Sequence, residues 1–411
     1  MSNKRWLYLV TATITFLFLG LIYAWSIFKV PFSELFPDWS VSQMSLTFTI
    51  SMSFFCLGGF AGGLLAKKLS QRVRLLISAV LLFTGFFVVS LVKKENPGGS
   101  LIMLYVFYGM FGGGGVGFAY NGVLSTINKW FPDKIGLASG IMLMGFGLGG
   151  LVLGSVVNSL IGSIGLLPTF RLLAIFIGVV CVLAAFILKQ ATDEESAALA
   201  ANASSSKKTK SIPTEDYTPG EMLRDPRFWL MTLWLILINS GGLLVINSAA
   251  NISIAYGGTA VLGMIVSLFN GAGRIVAGTN FDRNGRKAAT FLNNIFMLTA
   301  GALLTVGGIS GKFLFILIGL IFVGLAYGGC PTIASAFTNQ AFGAKNFPTN
   351  FSISNFNLLV GATVGPMVSS ALLEKSGGDY ITNFYAIIAF STAALVVLIL
   401  LNKASKAKDN K

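Results

Sequence analysis

The side chain with the most chemical reach in this chain is a guanidinium, Arg274, set inside the apolar run 259–281. It lies about seven residues, roughly 10 Å at 1.5 Å per residue, from the end of that run. An Arg near the centre of a membrane helix costs about 2.5–3.5 kcal/mol on insertion scales, so it should face a helix bundle or a watery cavity. Its planar fork of N–H donors matches a carboxylate bidentately. No Asp or Glu falls inside any apolar run delimited below. A carboxylate brought from outside is therefore its natural counter-ion, the alternative being an Arg that snorkels or is held by neutral acceptors. Asn270 stands four residues earlier, on the same face of a helix, where it could orient the guanidinium or bond the bound group. Tyr120 and Tyr327 offer phenol donors beside an apolar ring, with ordinary packing as the alternative. Tyr23 and Phe351 are further candidate binding residues.

Other chemistries are excluded by what is missing. The chain has no His, which removes imidazole relays, Ser-His-Asp catalysis and His-based metal sites. Cys56, Cys181 and Cys330 are far apart, each in an apolar run, and suggest neither a disulfide framework nor metal-ligand spacing. The run Gly112 to Gly115 has no following Gly-Lys-Ser/Thr and is not a phosphate loop. An enzyme is not expected, nor a metal, nor a cofactor.

These residues must be positioned by helices in lipid. Of the 411 residues 54% are apolar and 11% charged, with a mean hydropathy of +0.78, more apolar surface than a soluble domain can hide. A hydrocarbon slab of roughly 30 Å needs about 20 mostly uncharged residues per span. Breaking the chain at charge and Pro/Gly clusters places helices 1 to 12 at 6–28, 42–65, 75–92, 100–127, 136–162, 168–188, 228–252, 259–281, 289–309, 313–337, 347–373 and 382–402. The first run exceeds a signal-peptide core and lacks a small-residue cleavage pattern, so it counts as helix 1.

The net charge of +14 is a topology signal rather than a nucleic-acid one. Most of the 29 Lys and Arg fall in segments 1–5, 66–74, 128–135, 189–227, 282–288, 338–346 and 403–411, against Lys29, Lys93, Lys94, Arg171, Lys312 and Lys375 on the other face. The positive-inside rule puts the first set, with both termini, in the cytoplasm of a multi-pass plasma or inner membrane protein. The polar stretch 190–227 reads as a flexible cytoplasmic linker between a six-helix half, 1–189, and a second half with a short tail, 228–411. The halves echo each other: Phe118-Ala-Tyr120-Asn-Gly122 in helix 4 recurs as Leu325-Ala-Tyr327-Gly-Gly329 in helix 10. Two similar halves around a central site is a recurrent transporter plan.

Between helices 8 and 9 the chain reads Gly278-Thr-Asn-Phe-Asp282-Arg283-Asn-Gly285-Arg286-Lys287. This resembles the loop signature of the major facilitator superfamily, an all-α membrane fold of two pseudo-symmetric halves. Gly285 suits a tight turn, and Asp282 can pair with a helix end or a neighbouring Arg in one conformation only. With Arg283 and Arg286 these residues form the candidate gating loop. The loop between helices 2 and 3 carries a worn copy, Gly63-Leu-Leu-Ala-Lys67-Lys68-Leu-Ser-Gln-Arg72, with Lys67 where the acid should be.

Within that superfamily, the stretch from Tyr120 through Trp130-Phe131-Pro132-Asp133-Lys134 to Gly140 resembles the oxalate/formate antiporter family. Tyr23-Ala-Trp25, Pro219-Gly-Glu-Met-Leu-Arg224 and Phe269-Asn270-Gly271-Ala-Gly273-Arg274 agree with it. The resemblance implies a secondary transporter of small organic anions related to monocarboxylate carriers. In many animal monocarboxylate carriers the position of Asn270 is an Asp; in the oxalate-specific member a helix 11 Lys stands where this chain has Ser354. One buried cation neutralises one carboxylate, so a monocarboxylate of the lactate, pyruvate or formate kind is expected over oxalate. An oxalate/formate-type dicarboxylate exchanger and a multidrug or other solute exporter of the same fold are the alternatives. Proton symport, uniport and anion exchange all remain open, exchange being favoured because no helix carboxylate or His is present. The expected partners are the anion, the bilayer and a co-transported proton or exchanged anion, with the chain acting as a monomer.

Overall fold

The computed structural model describes residues 2–204 and 215–409. Among the described residues there are helices and loops and no strands, as lipid demands, because only a helix satisfies its own backbone within one span. Eleven helices among the described residues are long and apolar enough to cross a membrane: Lys4–Leu35, Ser42–Lys67, Gln71–Val89, Pro97–Trp130, Ile135–Ile164, Leu166–Ile187, Pro226–Ile246, Val261–Ser310, Phe313–Phe342, Phe347–Lys375 and Ile381–Lys406. The eighth holds two spans. Gly285 interrupts it at φ 79°, ψ 175°, a left-handed conformation that costs Gly little, so helices 8 and 9 meet there and the expected twelve are present.

The helix starts follow from local chemistry. Ser40 and Gln43 close a reciprocal capping box on helix 2, Ser70 accepts from the Val73 N–H on helix 3, and Asn96 accepts from Gly99 ahead of helix 4 with Pro97 at its first position. Asp225 does the same for helix 7, again with Pro in the first turn. Each such cap is worth about 1 kcal/mol.

Several boundaries differ from the sequence reading. Helix 1 runs on to Leu35 but tightens to 3-10 geometry over Gly20–Ala24. Helix 7 stops at Ile246 and a separate short helix, Ala249–Ala255, follows. Helix 11 breaks at Asn355, between Phe347–Ser354 and Phe356–Lys375. The linker, read as flexible, is helical over Asp193–Ser204. Its alanines are strong helix formers, and Asp193, Glu194 and Glu195 in the first turn suit the helix dipole. The basic centre of the linker, 205–214, lies outside the described residues.

The chain divides into two compact units whose composition interleaves the sequence halves: one holds Met1–Asp133, Gly145–Ile212 and Phe347–Ile353, the other Lys134–Met144, Pro213–Asn346 and Ser354–Lys411. In the first unit helix 2 packs on helix 4, and helix 3 on helices 4 and 6. Its core is aromatic: Phe170 lies 4.7 Å from Phe28 and 5.6 Å from both Phe32 and Phe86. In the second unit helix 7 packs on helices 11 and 12, and the joined helices 8 and 9 pack on helix 10. There the Trp234 indole donates to Asn294 Oδ1 at 3.2 Å, and the Asn294 amide donates to the Ser391 carbonyl at 3.1 Å.

Candidate functional site

Arg274 is 4% exposed. Helix 8 carries about eight large apolar residues worth roughly 0.3–0.6 kcal/mol each on insertion, which about balances one Arg, so the helix tolerates this charge without surplus. Arg274 Nε donates to Asn270 Oδ1 at 3.4 Å and Nη1 to the Leu143 carbonyl of helix 5. Both partners are neutral. Among the described residues no carboxylate pairs with Arg274, and Nη2 donates to none of them. Glu34 and Glu374 sit exposed at helix ends, and Asp282, two turns beyond Arg274, is half-buried against the start of helix 5. The guanidinium is thus held by two neutral acceptors, one of them the Asn270 oxygen, and among the described residues no carboxylate offsets its charge.

The approach of helix 5 to helix 8 needs residues without side chains. A Cβ on Gly136 would strike the Gly278 carbonyl, and one on Gly278 the Gly136 carbonyl, the small-residue contact that lets helices close in lipid. One turn further along, Asp282 reaches the start of helix 5. Its Oδ1 accepts from the Gly136 N–H at 2.8 Å and its Oδ2 from the Leu137 N–H at 2.7 Å. Of the two partners the sequence allowed Asp282, the helix end is the one these bonds join. Arg283 is exposed and Arg286 half-buried in the same loop.

The counterpart in the first unit works without an acid. Where Lys67 replaces the carboxylate, the first turn of helix 11 is held by Thr349, whose hydroxyl donates to the Gly63 carbonyl at 2.9 Å, and by Asn121, whose amide donates to the Pro348 carbonyl at 2.6 Å. Tyr120 belongs to this unit. It is 2% exposed and surrounded by Phe16, Phe55, Phe146 and Phe351 at 5.0, 5.2, 5.1 and 6.3 Å between ring centres. Tyr23 meets the same Phe146 at 5.3 Å. Three candidates, Tyr120, Phe351 and Tyr23, are therefore gathered around one aromatic cluster.

Tyr327 and Ser354 fall in the second unit with Arg274. Tyr327 is half-buried against Gly242 of helix 7, and the next residue, Gly328, packs on the Asn270 backbone. Ser354 is 3% exposed at the helix 11 break. Its carbonyl accepts from the Asn357 amide, whose oxygen in turn accepts from Asn239 at 2.8 Å. The break is thus lined by a neutral amide network.

One cation of the expected cytoplasmic set lies instead within a helix. Arg74, counted in the segment 66–74, lies inside helix 3 at 1% exposure, with Nε and Nη1 lacking any hydrogen-bond partner. The only signal for it in the sequence is its spacing, three residues after Gln71 on one helical face.

The sequence profile of the Major Facilitator Superfamily matches residues 5–356. The oxalate:formate antiporter of Oxalobacter formigenes is 25% identical over 403 residues, covering 96% of this chain and 92% of that protein. Monocarboxylate transporter 12 of Mus musculus is 28% identical over 163 residues, 39% of this chain and 32% of that one. Among solved structures, the proton:xylose symporter XylE bound to 6-bromo-6-deoxy-D-glucose superposes with a TM-score of 0.74 at 15% identity, over 98% of this chain and 96% of that one; this likeness shows the fold alone. With twelve helices, the loop signature at Gly278–Lys287 and a profile match along most of its length, the chain belongs to the Major Facilitator Superfamily and is an integral membrane transporter.

Proposed function

We propose that this transporter carries a small monocarboxylate of the lactate, pyruvate or formate class across the plasma or inner membrane by alternating access around Arg274, with both termini in the cytoplasm. The observation that carries the reading is the uncompensated guanidinium: 4% exposed, held by the Asn270 oxygen and the Leu143 carbonyl, with no carboxylate pairing it among the described residues. A buried charge of this kind is costly until an opposite charge arrives. Cargo bearing one carboxylate supplies that charge and takes bidentate hydrogen bonds from the fork. The phenols of Tyr120 and Tyr327 are assigned as further donors, Tyr23 and Phe351 as the apolar wall. Asp282, Arg283, Gly285 and Arg286 form the gate, with Asp282 holding helix 5 in one state.

A relative named an oxalate:formate antiporter raises the reading of dicarboxylate exchange. Ser354 argues against it, since a dianion beside one cation would leave a net charge in a low-dielectric site. For the transport mode, anion exchange is favoured over proton symport, because among the described residues Glu34 and Glu374 lie at exposed helix ends and Asp282, at the end of helix 8, takes the Gly136 and Leu137 N–H groups. Counterflow of labelled formate, lactate, pyruvate and oxalate in proteoliposomes, with and without a pH gradient, tests both points. Monocarboxylates should exchange without needing the gradient. Counterflow of oxalate alone would overturn the assignment of cargo, and strict dependence on the gradient that of mode.

A further inference from the structure

We propose that Arg74, Gln71 and the first turn of helix 3 form an oxyanion-binding site in the first unit, independent of the role given to Arg274. Arg74 is 1% and Gln71 4% exposed. The Arg74 Nε and Nη1 and both amide atoms of Gln71 are buried without hydrogen-bond partners, and among the described residues no carboxylate pairs with Arg74. Side chains lean toward the N-terminus of their helix, so residues three apart converge over its first turn. The structure bears this out. The position of a Cβ on Gly122 of helix 4 lies 3.0 Å from Gln71 Oε1, 3.4 Å from Gln71 Nε2 and 3.6 Å from Arg74 Nη1. The fork and the amide therefore meet against a residue of helix 4 that brings no side chain.

The surroundings are positive. Helix 3 has no acidic residue in its first turn, and its free N–H groups add the partial positive charge of a helix start. Lys67, Lys68 and Arg72 lie in the same short stretch. The repeated position in the second half shows what a satisfied version looks like. Gly329 of helix 10 meets Asn293 of helix 9, whose amide donates to the Ala326 carbonyl at 2.8 Å. In helix 3 the corresponding contact is made by a cation and an amide that find no acceptor in the protein. An oxyanion head would accept from two guanidinium N–H groups and from Gln71 Nε2, and neutralise the charge. The chemistry is that of one carboxylate or phosphate group, either a free anion or the headgroup of an anionic lipid.

The test uses full-length protein, delipidated in neutral detergent, carrying Arg274→Gln so that the helix 8 guanidinium cannot contribute. The melting temperature is followed against sodium phosphate at constant ionic strength, and separately against phosphatidylglycerol added to the micelles. A saturable rise is expected with at least one probe, lost in Arg74→Gln. Phosphate acting alone identifies a free anion, and phosphatidylglycerol acting alone a headgroup. Gln71→Leu, which keeps the charge, should weaken the apparent affinity about tenfold for one lost hydrogen bond, and it serves if Arg74→Gln does not fold. No saturable rise with either probe, or a rise unchanged by these substitutions, would overturn the proposal.

Discussion

The carboxylate of Asp282 spans the start of helix 5, taking the Gly136 N–H on one oxygen at 2.8 Å and the Leu137 N–H on the other at 2.7 Å. A carboxylate at this place satisfies two of the orphan donors every helix start leaves and sits favourably on the positive end of the dipole. Asp282→Ala should cost about 1–2 kcal/mol of this docking. Hydrogen exchange of the peptide covering 134–144 would report it as faster exchange at Gly136 and Leu137. Unchanged protection there would show that the carboxylate does not hold the helix.

The same junction depends on Gly278. Because its absent Cβ would fall on the Gly136 carbonyl, Gly278→Val must push helices 5 and 8 apart. Overpacking of this kind costs about 1–3 kcal/mol. A lower melting temperature with reduced transport is expected, while Gly285→Ala should act by a different route, through strain at φ 79° with open space around it. A Gly278→Val protein of normal stability and rate would mean that the close approach is not maintained.

The phenols can be separated from their rings. Tyr120→Phe keeps the aromatic cluster with Phe16, Phe55, Phe146 and Phe351 and removes one hydroxyl, so stability should hold while uptake falls about 5–10-fold, the worth of one hydrogen bond. Tyr327→Phe should behave alike. Transport at the parental rate in both variants would reduce these residues to packing.

Cargo charge should follow the cations around it. Ser354→Lys places an ammonium at the helix 11 break, beside the Asn357 and Asn239 amides, and should shift preference toward oxalate by at least about tenfold relative to lactate, since a second charge-assisted hydrogen bond is worth about 1.5–3 kcal/mol. Competition assays with the two acids read this directly. An unchanged ratio would remove Ser354 from the specificity argument.

The spans were legible because each is a long apolar run, several of them started by a Ser, Asn or Asp cap, and lipid leaves the backbone no alternative. The turn at Gly285 was legible too, since its signature places Gly between charges. Local patterns could not reveal the 3-10 stretch at Gly20–Ala24 or the break at Asn355, where nothing in the residue types forbids a continuous helix. Nor could they show that Tyr120 meets Phe351, a contact between residues far apart in the chain. Arg74 was hidden for a different reason. It follows Lys67, Lys68 and Arg72, and only its inward rotation on helix 3 separates it from those cations.

The central claim is that the Arg274 guanidinium receives its opposing charge from the cargo. Isothermal titration of purified protein with lactate, beside Arg274→Gln and Arg274→Lys, measures this without transport. Saturable binding to the parent protein is predicted, weakened about 100-fold in Arg274→Gln through loss of charge-assisted hydrogen bonds worth about 1.5–3 kcal/mol and only partly restored by Lys, which lacks the planar fork. Equal affinity in all three would contradict the account.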